Sequence, residues 1–391
     1  MTTDHRKRTL LQLAAATAAL GAIGLTACGR KEDAAPTPAP EAAPPPAPDV
    51  AAAPVNPLKA AWIYVGPVGS AGWSFAHDLG RKAVEAEFGG KVQTTFIESV
   101  PEGADTERVL RDLVGQGNQL IFGTSFGFME AMLKVAKDHP DVKFEHATGY
   151  KTADNMNVYD ARFYQDTYLA GVVAGSMSKT GTLGFVGSFP IPEVLRNINA
   201  FTLGAQSVKP DARVRVAWVN SWYDPPKETE AAQALMNGGA DVLLQNTDST
   251  AVLQAAENAG KLAFGWDSDM SAFGGKAHLG SAIADWSHYY KKTVQAVLDG
   301  SWKGGQVTRW GVPEGQNDLI KLSDTIPAEA RTKVEDIKAQ MKARTFDVFK
   351  GPLTDTTGKQ RLAAGTAADD DWMGKIDFYV KGVEGKVPAS K

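Results

Sequence analysis

The chain has 391 residues, 43% of them hydrophobic, and a formal net charge of -4, a balance that argues against a nucleic-acid partner, which needs a basic face. Its single cysteine excludes an internal disulfide, and its six histidines, scattered and without a His-Glu-x-x-His run, argue against a dedicated metal centre. Beyond the N-terminus no apolar run approaches the roughly 18 residues of a membrane span, which excludes a channel.

The first element in chain order is an export signal. Arg6, Lys7 and Arg8 precede an apolar stretch from Leu10 to Leu25, which ends in Leu25-Thr26-Ala27-Cys28. A charged start, an apolar segment of about 15 residues and small residues before the cleavage point make a secretory signal, too short to span a bilayer as a mature helix. Residues 1–27 are therefore read as a lipoprotein signal peptide and Cys28 as the lipidated residue, so that acyl chains tether the mature protein. Residues 28–58 are the lipidated cysteine and a Pro/Ala linker, whose prolines favour extended polyproline II and hold a globule away from the membrane.

From residue 59 the chain has enough apolar residues for two cores of ordinary domain size. Strands are expected over 60–65, 92–98, 119–123 and 142–146, and helices over 75–88, 105–114 and 129–137. This βα alternation builds a parallel sheet covered on both faces. A helix over 169–177 ends at Thr180-Gly181, where glycine can take the left-handed conformation. A second series follows, with strands over 183–187, 213–220, 241–245 and 262–267 and helices over 194–205, 228–236 and 251–259. Two successive open α/β sheets imply two lobes, and the ligands of such sheets sit beyond the carboxyl ends of the strands. Near the C-terminus, 376–380 reads as a short edge strand packed on a lobe.

The loops after the strands carry Trp73 and Phe75, then Phe126, then Trp222, with Ser70, Asn197, Asn246, Asp248 and Asp267 among them. Flat rings beside amides and carboxylates suit a planar heteroaromatic guest. Ring stacking contributes roughly 1–3 kcal/mol per base, while short polar side chains read the base edge. A purine fits that description. Each residue also has a plainer role: core for the aromatics, turn or helix caps for Asp267, Asn246 and Asp248, and exposed surface for Asn197. One pattern points elsewhere. Gly123-Thr124-Ser125-Phe126-Gly127 fits the Gly-x-Ser-x-Gly nucleophile elbow, with Asp267 and His278 or His288 following in hydrolase order. No His-Gly-Gly-Gly stretch precedes it, and a serine hydrolase using Ser125 stands as an alternative.

Five stretches carry a family resemblance: Lys134 to Phe144, Tyr168 to Gly175, Gly184-Phe185-Val186-Gly187, Gly239-Ala240-Asp241-Val242 and Gly265-Trp266-Asp267-Ser268-Asp269. With them, the chain from about Lys59 to Phe349 resembles the basic membrane protein (BMP) family of lipoproteins, substrate-binding components of ABC transporters for purine nucleosides or nucleobases. The resemblance implies an α/β, type I periplasmic binding-protein fold, with two Rossmann-like lobes, a ligand cleft between them and three crossovers. Lobe 1 would comprise 59–165 plus about 285–310. Lobe 2 and the hinge crossings would comprise 166–284 plus about 311–350, with 351–391 as a C-terminal extension. The resemblance further implies a purine stacked between Trp73 and Trp222, each standing where the family has Phe, and Asp267 as the acid that holds ribose hydroxyls in nucleoside binders. Ala284 stands where a family lysine is expected, and Ser74 where an asparagine is. Fewer sugar partners and larger rings favour a free base, adenine, over a nucleoside. The expected protein is a monomer, lipid-anchored in the periplasm or cell envelope, without cofactor or catalysis, that delivers its purine nucleobase or nucleoside to an ABC permease. A purine-sensing receptor lipoprotein and the same fold around a sugar are the competing expectations.

Overall fold

Two sheets grow from the alternating series in the computed structural model, which describes residues 56–389; the leader, Cys28 and nearly all of the linker lie outside the described residues. The first series runs β1 (Leu58–Tyr64), α1 (Trp73–Phe88), β2 (Val92–Ile97), α2 (Ala104–Gly115), β3 (Leu120–Thr124), α3 (Met129–Asp138), β4 (Lys143–Ala147) and β5 (Met156–Ala161). The second runs α4 (Phe163–Met177), β6 (Thr182–Gly187), α5 (Pro192–Gln206), β7 (Arg213–Trp218), α6 (Pro225–Asn237), β8 (Val242–Asn246), α7 (Ala251–Asn258), β9 (Leu262–Asp267) and β10 (His278–Ala284). Then follow α8 (Ser287–Leu298), β11 (Val307–Trp310), β12 (Asn317–Ile320), α9 (Ala328–Lys342), β13 (Leu353–Thr354), β14 (Gln360–Leu362), α10 (Asp370–Gly374) and β15 (Val383–Glu384).

One sheet has the order β11-β5-β4-β3-β1-β2 and is parallel throughout. The other has the order β12-β10-β9-β8-β6-β7-β15, with only β12 antiparallel. Strands such as β1, β3 and β8 are buried almost end to end, as parallel strands covered on both faces must be. The chain passes between the sheets three times, after β5, after β10 and after β11. Each lobe therefore contains chain from distant parts of the sequence, joined by three crossing segments. This is the type I periplasmic binding-protein fold.

The helix expected over 169–177 begins six residues earlier, at Phe163. Every residue from Phe163 to Gly175 is buried, so no polar face marks where it starts. Small residues explain how it lies so close to α5. A Cβ on Gly171 would collide with the carbonyl oxygen of Phe201, and one on Gly204 with that of Tyr168, so the two helices meet backbone to backbone. Gly171→Val is expected to cost about 2–4 kcal/mol by overpacking, measured as a fall in the urea midpoint.

The C-terminal segment corrects one expectation. The edge strand is not 376–380 but β15, which pairs parallel with β7, while Val380 makes an isolated bridge to Asp355. Residues around 378–380 are held instead by the buried Asn199, which donates from Nδ2 to Phe378 O and accepts from Val380 N, both at 2.9 Å. On the other side of the extension, Asp370 accepts from both terminal nitrogens of Arg162, at 2.6 and 3.0 Å. Among the described residues no helix is long and apolar enough to cross a membrane.

Candidate functional site

The carboxyl ends of the strands from the two sheets face each other, and the backbone there is unusual. Ser99, Thr148, Asn220 and Asp267, at or just beyond the ends of β2, β4, β7 and β9, have φ of 56°, 60°, 51° and 63°. Left-handed backbone costs a non-glycine residue on the order of 1–2 kcal/mol, and such strain clusters at binding sites, where it aims loops. The lobes touch at Gly72, whose N–H donates to Ser268 Oγ at 2.8 Å. Gly72 has φ 89° and packs against Asp248 O so tightly that any Cβ would clash. Only glycine permits this approach.

Directly beside that contact lies a small cavity, lined from both lobes. The first sheet's lobe contributes Val65, Trp73, Ser125, Phe126 and Thr148, and the facing lobe contributes Glu193, Trp222, Asn246, Asp248 and Asp267. Trp73 is the first residue of α1, and its Nε1 donates to Thr124 O at 2.7 Å. Edge-to-face contacts with His77 (4.4 Å between centroids) and Trp286 (5.6 Å) fix its ring from behind. Trp222 packs on Phe189 at 5.0 Å, and its Nε1 reaches across the cleft to Glu102 Oε1 at 3.1 Å. One indole from each lobe thus lines the same cavity.

The polar wall is made of carboxyls that lack partners. Asp267 is 1% exposed, and neither of its carboxylate oxygens has a hydrogen-bond partner within the protein; Oδ2 of buried Asp248 has none either. Burial, with the neighbouring charges of Asp248, Glu193 and Asp166, pushes the Asp267 carboxyl well above the usual range. Burial also raises Asp248, with Glu228 and Glu193 adding to it. Glu193 is raised by burial and by the charge of Asp160. Buried acceptors without donors are costly, and a ligand with N–H or O–H groups would satisfy them. Asn246 Oδ1 accepts from Asn197 Nδ2 at 2.7 Å, which leaves the Asn246 amide nitrogen to donate into the cavity.

Six sequence-derived candidates therefore line one cavity: Trp73, Phe126, Trp222, Asn246, Asp248 and Asp267. Asn197 stands behind the wall, orienting Asn246. Ser70 is exposed and Phe75 half-buried on α1, and neither lines the cavity; the β1–α1 loop turns Ser70 to solvent, and Phe75 lies two residues along the helix from the ring that faces the ligand space. Glu193 was not a sequence candidate, because an acid in the first turn of a helix ordinarily complements the helix dipole at the surface. Among the described residues no group of His, Cys, Asp and Glu is arranged to hold a metal ion.

Residues 58–349 match the family model of PnrA-like ABC transporter substrate-binding proteins (Bmp). The chain belongs to this family. It is 48% identical over 333 residues, 85% of this chain and 94% of the relative, to a purine-binding protein of Brucella abortus. It is 39% identical, over 85% of this chain and 82% of the relative, to a putative ABC transporter glucose-binding protein of Haloferax volcanii. Among solved structures, an ABC solute-binding protein from Aeropyrum pernix K1 superimposes with a TM-score of 0.65 at 19% identity, covering 74% of this chain and 92% of that one, a likeness of fold. This Bmp-family chain is a substrate-binding protein of an ABC transporter and not an enzyme. The geometry of the Gly-x-Ser-x-Gly run agrees. Ser125 Oγ donates to Glu102 at 2.6 Å, the nearby His146 contacts the carbonyl of Ser125 and not its hydroxyl, and His278 bonds Ser281 in the other lobe. Among the described residues no histidine bonds the hydroxyl as the triad of an elbow serine requires, and with the family assignment this removes the hydrolase alternative.

Proposed function

We propose that the protein captures a purine base, with adenine favoured, between the indoles of Trp73 and Trp222, and delivers it to an ABC permease from the outer side of the cytoplasmic membrane. The observation that carries this reading is one indole from each lobe lining a single cavity whose polar wall presents unpartnered acceptors on Asp267 and Asp248. A flat heterocycle with ring nitrogens and an amino group matches both features. The name of the Brucella abortus relative, at 48% identity, supports the ligand class. Closure follows from contacts that exist only when both lobes meet the ligand. The leader and Cys28 support a lipid-anchored protein of the periplasm or cell envelope, tethered through its Pro/Ala linker, and mass spectrometry of membrane-extracted protein would reveal the acylated Cys28.

Titration calorimetry against adenine, guanine, adenosine, guanosine, uric acid and ribose tests the assignment. Tight binding of a free base, with nucleosides weaker, is the expected result. The Haloferax volcanii relative is named a putative glucose-binding protein, which makes a sugar the second reading; glucose joins the panel, and binding of sugars alone would overturn the stacking role. A sensing receptor is separated from a transport component by whether loss of the adjacent permease abolishes purine uptake.

A further inference from the structure

The segment Gly123-Thr124-Ser125-Phe126-Gly127 holds both indoles, although they belong to different lobes. Thr124 O accepts from Trp73 Nε1 at 2.7 Å. One residue on, Ser125 Oγ and Gly127 N–H donate to Glu102 Oε1 at 2.6 and 3.0 Å, and that same oxygen accepts from Trp222 Nε1 at 3.1 Å. A Cβ at Gly127 would occupy the position of the Glu102 carboxylate, so the glycine is what lets the carboxylate settle on the loop. The pattern that resembled a nucleophile elbow is a cradle for an acid.

We infer that Glu102 is a positioning residue for ligand capture: cradled by Ser125 and Gly127 on one lobe, it catches Trp222 of the other lobe as the cleft shuts and sets the angle of the second stacking ring. The inference rests on the stacking reading above for its ligand. In an open molecule Glu102 keeps its two donors on its own lobe, whereas Trp222 has no Nε1 partner until the lobes meet. The bond therefore belongs to the closed state alone, and only such contacts shift a closing equilibrium. It also acts mainly on release, since it forms after encounter.

The test uses full-length protein with adenine and guanine as probes, by stopped-flow and calorimetry, for Glu102→Ala, Glu102→Gln and both in a Trp222→Phe background. Glu102→Ala is expected to speed release about tenfold, the range of a lost hydrogen bond to a charged group, with association unchanged. Glu102→Gln, whose amide oxygen can still accept, restores most of the difference. Phe keeps the ring but lacks the Nε1 donor, so Glu102→Ala is expected to change nothing in the Trp222→Phe background, a cancellation that a general loss of stability would not produce. Small-angle scattering without ligand provides an arm that does not depend on the purine, with Glu102→Ala shifting the average towards the open form. Release and scattering equal to wild type, or an equal effect in the Trp222→Phe background, would overturn the inference. If wild type binds neither base but the scattering shift is present, the purine reading fails while the latch stands.

Discussion

Alanine at Trp73 or at Trp222 is expected to weaken purine binding by about 10- to 100-fold each, the range of one base–aromatic stack, and the pair together by more than either alone. The two are not equivalent. Trp73 is clamped by Thr124 O and by the rings of His77 and Trp286, so its face is presented before any ligand arrives. Trp222 is ordered from the opposite lobe, through Glu102. Trp73→Ala should therefore reduce affinity and also disturb the aromatic packing beneath it, lowering the melting temperature without ligand. Trp222→Ala should act on affinity with little effect on that temperature. Phenylalanine at position 73 keeps a flat face and should retain most of the binding, whereas Trp222→Phe keeps the face but loses the bond to Glu102 and should release ligand about tenfold faster, as Glu102→Ala does. Ser70→Ala, outside the cavity, serves as the control and should bind as wild type. Calorimetry beside thermal unfolding separates these outcomes; full affinity with both indoles removed would refute the stacking arrangement.

The second large effect is at Asp267, where binding and stability are expected to move in opposite directions. Its carboxyl is buried without a partner, and burial holds its pKa well above the ordinary value, as it does for Asp248 and Glu193. Because these folded-state values are raised, the unfolded chain gives up protons near pH 4 that the folded chain keeps. Their favourable contribution is fully present below that range and is lost as the pH rises towards the folded values. The contribution of these three acids should therefore be smaller at about pH 8 than at about pH 5, opposed by buried His77 and His146, whose lowered values act with the other sign. Asp267→Asn is the appropriate variant, since asparagine tolerates the left-handed backbone found there. It removes a buried acid, and is expected to gain about 1–2 kcal/mol at the higher pH and to flatten the pH dependence. The same change removes an acceptor from the ligand's polar edge and should weaken binding by about 100-fold or less. Urea unfolding at the two pH values, paired with calorimetry, reads both signs; a loss of stability at pH 8 would refute the assignment of an unpaired acid.

Local pattern carried much of the architecture. The βα alternation from β1 to β4 and from β6 to β9 lies in short runs of apolar residues and amphipathic helices, so each element announces itself within a window of a dozen residues. Trp73, Trp222 and Asp267 were legible because they sit at strand ends in stretches of recognisable sequence. β5 escaped because Asn157 and Asp160 interrupt a strand that is nonetheless buried along its whole length. β11 and β12 are only four residues each; β11 pairs with β5, far back in the chain, and β12 with β10 across the intervening α8 and β11.

What the sequence determined by itself is the two-lobed α/β design and the chemistry stored in the strand-end loops, since both depend on near neighbours in the chain. Only the tertiary structure decided which of those loop residues meet. It turned Ser70 outward, brought Glu193 into the cavity wall, and made Gly127 the seat of a carboxylate that holds a tryptophan from the other lobe. Those roles arise where the two lobes meet, a juxtaposition of residues separated by as much as 196 positions, and hydrogen bonding and burial at such separations leave no local pattern to read.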